Sequence, residues 1–162
     1  MLLFEVSQQT KISISYKWIQ QIAESFNAVQ KLKGDWYFSL AFVDQKTIKQ
    51  LNKTYRGKNT VTDVLSFENN QKDFVAMPAD KNYLGEIVIC VSQARVQAQD
   101  LKCNLSQEVA RLLVHGLAHL SGYDHENCSA HKALQMLQFE KKILLKLGIW
   151  DIFKFEADPQ NY

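Results

Sequence analysis

The chain has 162 residues, of which 46% are hydrophobic and 22% charged. That is enough apolar material for one domain with a buried core, taken here as residues 1–162, and it excludes extended disorder. No apolar run approaches the ~20 residues of a membrane span, and Met1-Leu-Leu-Phe-Glu5 lacks the basic start of a secretory signal. The net charge of +2 is unevenly spread: residues 1–60 hold nine Lys/Arg against four Asp/Glu. A basic half suits an anionic partner such as nucleic acid, although a solvated lysine-rich surface gives the same count. The odd number of cysteines (Cys90, Cys103, Cys128) does not form a disulfide framework, predicts no disulfide-linked partner and suits a reducing cytoplasm.

Residues 1–6 and 12–15 read as short strands around a turn. Trp18, Ile19, Ile22, Phe26 and Val29 recur at helical spacing and predict an amphipathic helix over 16–31. Residues 36–43, rich in aromatic and β-branched types, predict a strand. Asp44 is placed to cap a helix over about 45–55. Residues 56–63 are polar and contain Gly57 and Asn59, which predicts a loop, with Asp63 capping or closing the turn. A short strand follows at 64–67. Residues 69–83 read as irregular, 84–91 as a strand, and Ser92 as the cap of a helix to about 101. Asn104 or Ser106 caps the next helix, and a last one runs from about 127 to Gly148. The tail from Phe155 is expected to fray. Helices and strands mix without strict alternation, so the expected class is α+β: a small mixed sheet of about four strands packed with helices.

The segment His115-Gly-Leu-Ala-His119-Leu-Ser-Gly122-Tyr-Asp-His125 holds three of the four histidines. His115 and His119, four apart, share one helix face. Gly122 can end that helix and let the chain return His125 to the same point. Three imidazoles with an open fourth position are the pattern of a catalytic zinc, with nickel, copper or cobalt as substitutes in vitro. His131 fits an exposed helix position and Cys128 a small packed residue. The spacing is that of the zincin-like metzincin proteases, but their general-base Glu after the first His is here Gly116. The site is hydrolytic in form and lacks the peptidase base. Asp124 and Glu86 are candidates for orienting a histidine from behind. The loop Tyr55–Asp63 adds Arg56 and Lys58: the arginine fork matches phosphate oxygens, and the lysine supplies a point charge.

These segments resemble the YbeY family of bacterial rRNA-maturation endoribonucleases. The resemblance rests on Leu51-Asn-Lys-Thr-Tyr-Arg56-Gly-Lys-Asn, Thr62-Asp-Val-Leu-Ser-Phe67, Leu84-Gly-Glu-Ile-Val-Ile89 and the histidine segment, in that order, and covers about residues 36–147. It implies a cytoplasmic, zinc-dependent, single-strand-specific endoribonuclease. Its implied partners are the precursor of small-subunit ribosomal RNA and the ribosome, in rRNA maturation and ribosome quality control. It matches His115, His119 and His125 to the zinc ligands and Arg56 to a functionally important arginine. Val61 and Glu68 stand where the family often has proline, and Glu86 where Asp is frequent. Two other readings stay open: a zinc hydrolase of another substrate class, such as a peptidase, and a largely non-catalytic ribosome-associated zinc protein.

Overall fold

The computed structural model describes residues 1–69, 82–123 and 129–153. In chain order the elements are β1 (Leu2–Gln8), α1 (Tyr16–Gln30), β2 (Trp36–Val43), α2 (Gln45–Arg56), β3 (Val64–Glu68) and β4 (Asn82–Cys90). They continue with α3 (Val91–Asp100), α4 (Leu105–Leu120), α5 (Ala130–Lys146) and α6 (Trp150–Phe153). The four strands form one sheet in the order β1-β2-β4-β3. β1, β2 and β4 run parallel, and β3 pairs antiparallel with β4 at the edge. Parallel neighbours need crossover connections; α1 lies between β1 and β2 in the chain, and α2 and β3 lie between β2 and β4. The mixed α+β architecture expected from the sequence is the one observed.

Side chains alternate across each strand, so the sheet divides its apolar residues between two faces. Phe38, Leu40 and Phe42 of β2 and Ile87 and Ile89 of β4 enter the larger core with Ile22 and Phe26 of α1 and Leu113 and Leu117 of α4. Ala41, Val43, Leu65, Phe67, Val88 and Cys90 face the other way and meet Ile48 of α2. Gly85 makes the ladder irregular: the register between β2 and β4 shifts at Tyr37/Phe38. Its φ is +144°, and a Cβ there would run into the Phe67 carbonyl oxygen, so only glycine fits this bulge.

Several boundaries differ from expectation. Residues 12–15 are not a strand; Ser15 instead caps α1, its Oγ accepting from the Trp18 amide at 3.1 Å. β4 begins at Asn82, inside the stretch read as irregular. Ser92 does not cap α3: the strand runs directly into the helix, Cys90 holds the cap position, and the Ser92 hydroxyl lies 3.4 Å from Cys90 Sγ. α5 starts at Ala130, where the Ser129 side chain accepts from Lys132 N, three residues later than expected. The short α6 carried no periodicity to announce it. The fraying tail lies outside the described residues. No helix among the described residues is long and apolar enough to cross a membrane.

Candidate active site

α4 carries the histidines, and its start is set by sequence. Asn104 Oδ1 accepts from the Gln107 amide at 2.9 Å while Gln107 Oε1 accepts from the Asn104 amide at 3.0 Å. This reciprocal capping fixes the helix register. Gly116 then seats α4 against the sheet: a Cβ there would lie 2.9 Å from Ile87 Cγ2. The position that carries the metzincin base is therefore a packing contact in this chain. α4 ends at Leu120, and Gly122 follows with φ +83°.

His115 and His119 turn their Nε2 atoms toward each other, 3.2 Å apart. Two nitrogens each bound at 2.0–2.1 Å to one tetrahedral ion stand about 3.3 Å apart, so this pair already has the separation of shared ligands. Glu140 of α5 decides the tautomer. Its Oε1 lies 2.8 Å from His115 Nδ1, so Nδ1–H donates to the carboxylate and the Nε2 lone pair faces His119. His119 is in the last turn of α4, where the partial negative charge of the helix end favours a cation. Among the described residues no group of three metal-ligating side chains converges. His125, Asp124 and Cys128 lie outside the described residues.

The two histidines line a cavity of about 280 Å³ walled by α4, the start of β3, and Glu140 and Leu144 of α5. Arg56 lines it too. It is the last residue of α2, and Gly57 caps the helix with φ +69°. Buried Asn52 pins the loop beyond: its Nδ2 donates to Thr60 O at 2.9 Å, and its own carbonyl accepts from the Lys58 amide at 3.2 Å. Lys58 is exposed and does not line the cavity. His131 sits exposed on α5, 3.1 Å from Gln135 Nε2.

Asp63 does more than close a turn. Its Oδ1 accepts from the Val64 amide at 2.8 Å and its Oδ2 from Gln97 Nε2 at 2.9 Å. Burial pushes this carboxyl up, but the Gln97 and backbone hydrogen bonds, helped by the Arg111 guanidinium, outweigh it and hold Asp63 below the ordinary value. A fixed anion thus stands in the cavity wall. Glu86 is a correction. Ile87 faces α4, so strand alternation turns its neighbour Glu86 to the opposite side of the sheet. There it pairs across the ladder with Ser39 and Phe67, and its carboxyl is pushed up by burial and by Glu5. Among the described residues, it lies on the opposite side of the sheet from His115 and His119 and orients neither.

Glu140 and Arg111 were not singled out from the sequence. Arg111 was legible, being four residues before His115 on the same stripe. Glu140 was not, because it lies 25 residues from His115 on another helix and nothing local links them.

A sequence profile described as Endoribonuclease YbeY matches residues 4–148. "Endoribonuclease YbeY" of Phytoplasma australiense is 42% identical over 120 residues, covering 74% of this chain and 80% of that protein. The protein of the same name from Syntrophomonas wolfei is 36% identical over 151 residues, covering 89% and 96%. Among solved structures, the solution structure of TM1509 from Thermotoga maritima superposes with a TM-score of 0.57 at 22% identity, over 90% of this chain and 92% of that one; it supports the fold. With the matched region running from within β1 through the other three strands and both helices that meet at the histidines, the chain belongs to the Endoribonuclease YbeY family.

Proposed function

We propose that this protein is a zinc-dependent endoribonuclease acting on single-stranded RNA, with all its machinery in one domain. The observation that carries the reading is the His115–His119 pair, 3.2 Å apart and oriented by Glu140, in the same cavity as Arg56. His115 and His119 would hold the ion, with His125 supplied by the segment after α4. When bound, zinc supplies Lewis acidity toward a phosphate oxygen and eases deprotonation of water.

The chain's own residues do the rest. Arg56 binds the non-bridging oxygens of the scissile phosphate and stabilises the charge that grows there in the transition state. Glu140 keeps His115 in the tautomer whose Nε2 is a lone pair. Lys58, outside the cavity, meets the strand beyond the reacting phosphate. The basic first 60 residues favour a polyanion over a neutral substrate. Gly116 argues against a peptidase, since no carboxylate occupies the position of that general base. The relatives' name supports RNA as substrate, and the family resemblance supports small-subunit rRNA precursors on the ribosome in the cytoplasm as its setting.

The test is cleavage of a labelled single-stranded RNA by purified protein, with chelator and with zinc restored. Chelation and His119→Ala should each remove cleavage, by about a thousandfold or more if the ion supplies several kcal/mol. Undiminished cleavage by His119→Ala would sink the reading. Ribosome binding with no cleavage by the wild type would favour the non-catalytic alternative.

A further inference from the structure

Arg111, His115 and His119 fall at i, i+4 and i+8 along α4, on one stripe. Arg111 lines the same cavity as the histidines and Arg56. Its guanidinium is held in place. Nε donates to Glu108 Oε2 at 2.9 Å and Nη2 to Glu108 Oε1 at 2.7 Å, and its Cζ stands 5.9 Å from the centre of the Phe153 ring. The Glu108 side chain is 0% exposed and that of Arg111 21%. Withdrawing a carboxylate wholly from water is costly, and an apolar pair of similar volume would fill the space without that cost. The pair does, however, hold a planar cation at one place, and that place is the wall of the cleft.

We propose that Arg111 is a second phosphate-binding residue of the cleft, gripping the phosphate next to the scissile one, with Glu108 as its positioning residue. This rests on the endoribonuclease reading above and deepens it. Arg56 comes from the end of α2 and Arg111 from the middle of α4, so two guanidinium groups meet the cleft from different elements. One helical turn separates Arg111 from His115, about 6 Å along the axis, a span comparable to the step between successive phosphates of a single strand. A guanidinium already fixed by a bidentate partner loses little freedom when it takes a phosphate oxygen.

The variants are Arg111→Lys, which keeps a charge beside Glu108 but loses the fork, and the double variant Glu108→Leu/Arg111→Met. The double change removes both charges together, so no buried carboxylate is stranded and the fold is retained; thermal melting checks this. Cleavage of a short mixed-sequence single-stranded RNA and of a dinucleotide with only the scissile phosphate is measured, with binding of the same RNA to the His119→Ala protein across a salt series. We expect KM for the longer RNA to rise about tenfold in either variant, the worth of one charge-assisted hydrogen bond, with kcat within about threefold. The dinucleotide should be affected less. The log–log salt slope of binding should shallow by about 0.7 in the double variant, as expected when one phosphate fewer is neutralised. A folded double variant with unchanged KM and salt slope would overturn the proposal and leave the pair a structural one. Wild-type protein that binds RNA normally without cutting it would overturn the catalytic reading alone, because the salt slopes still report on Arg111. Wild-type protein that neither binds nor cuts RNA would overturn both.

Discussion

The two faces of the sheet use carboxylates in opposite ways. On the α4 side, Asp63 is surrounded by donors and held below its ordinary pKa, and Glu140 is spent on one imidazole nitrogen. On the α2 side, Glu86 has only burial and a like-charged neighbour, Glu5, and is pushed above it. Ser39, which could have served Glu86, instead donates to Glu5 at 3.0 Å while accepting from the Tyr83 hydroxyl at 3.0 Å. One face thus supplies its carboxylates with hydrogen-bond donors and holds Asp63 ionised, and the other disfavours ionisation of Glu86 through burial and the charge of Glu5. The state of an acidic residue is set by the donors around it, some adjacent in the chain, as the Val64 amide is to Asp63, and some remote, as Gln97 is to Asp63 and His115 to Glu140.

Substitutions separate the faces, beginning with the largest effect expected. Glu140→Gln leaves the fold intact but weakens the orientation of His115, and zinc affinity should drop by ten- to a hundredfold, read by competition with a chromogenic chelator. Asp63→Asn should cost about 1–3 kcal/mol at neutral pH, because it removes the ionised acceptor of Gln97 and Val64. The sign follows from a folded-state pKa lower than the unfolded one. The stabilisation is fully present above the unfolded value near 3.8 and is lost as pH falls through the folded one. The wild-type advantage in urea midpoint should therefore shrink in acid below that value. Gly116→Ala drives a methyl into Ile87 and should cost about 1–3 kcal/mol of stability by overpacking, measured by thermal melting. Glu86→Gln should do the reverse of Asp63→Asn and stabilise by less than about 1 kcal/mol. The folded pKa of Glu86 is raised, so its ionised form is a burden above that pKa and none below the unfolded value near 4.5. The gain from Glu86→Gln should vanish in acid. A gain from Asp63→Asn, or a loss from Glu86→Gln, at neutral pH would break the contrast between the faces.

Much of this was legible in the sequence where the determinants are local. The capping of α4 by Asn104, the pairing of His115 with His119, and the packing face of α1 all follow from spacing within one helix, whereas α2 buries the polar Asn52 beside Ile48 and leaves Tyr55 exposed, which its apolar spacing did not announce. Arg56 is at a helix end marked by glycine, and the loop that follows was read from its polarity. What was not legible depends on which face a strand presents and which helix packs where. Glu86 looked like a partner for a histidine until the alternation of β4 put it behind the sheet. Glu140 joined the site only through the packing of α5 on α4. Ser92 had the composition of a cap, but the absence of a loop between β4 and α3 left it no cap position to fill.

The central claim is that His115 and His119 hold one ion in the cleft that carries Arg56. The most direct measurement is the zinc content of the purified wild type beside His119→Ala, by elemental analysis after dialysis against metal-free buffer. The account predicts about one zinc per chain in the wild type and a large loss in the variant, with both proteins folded. Equal zinc in the two, or none in a wild type that still cleaves RNA, would contradict it.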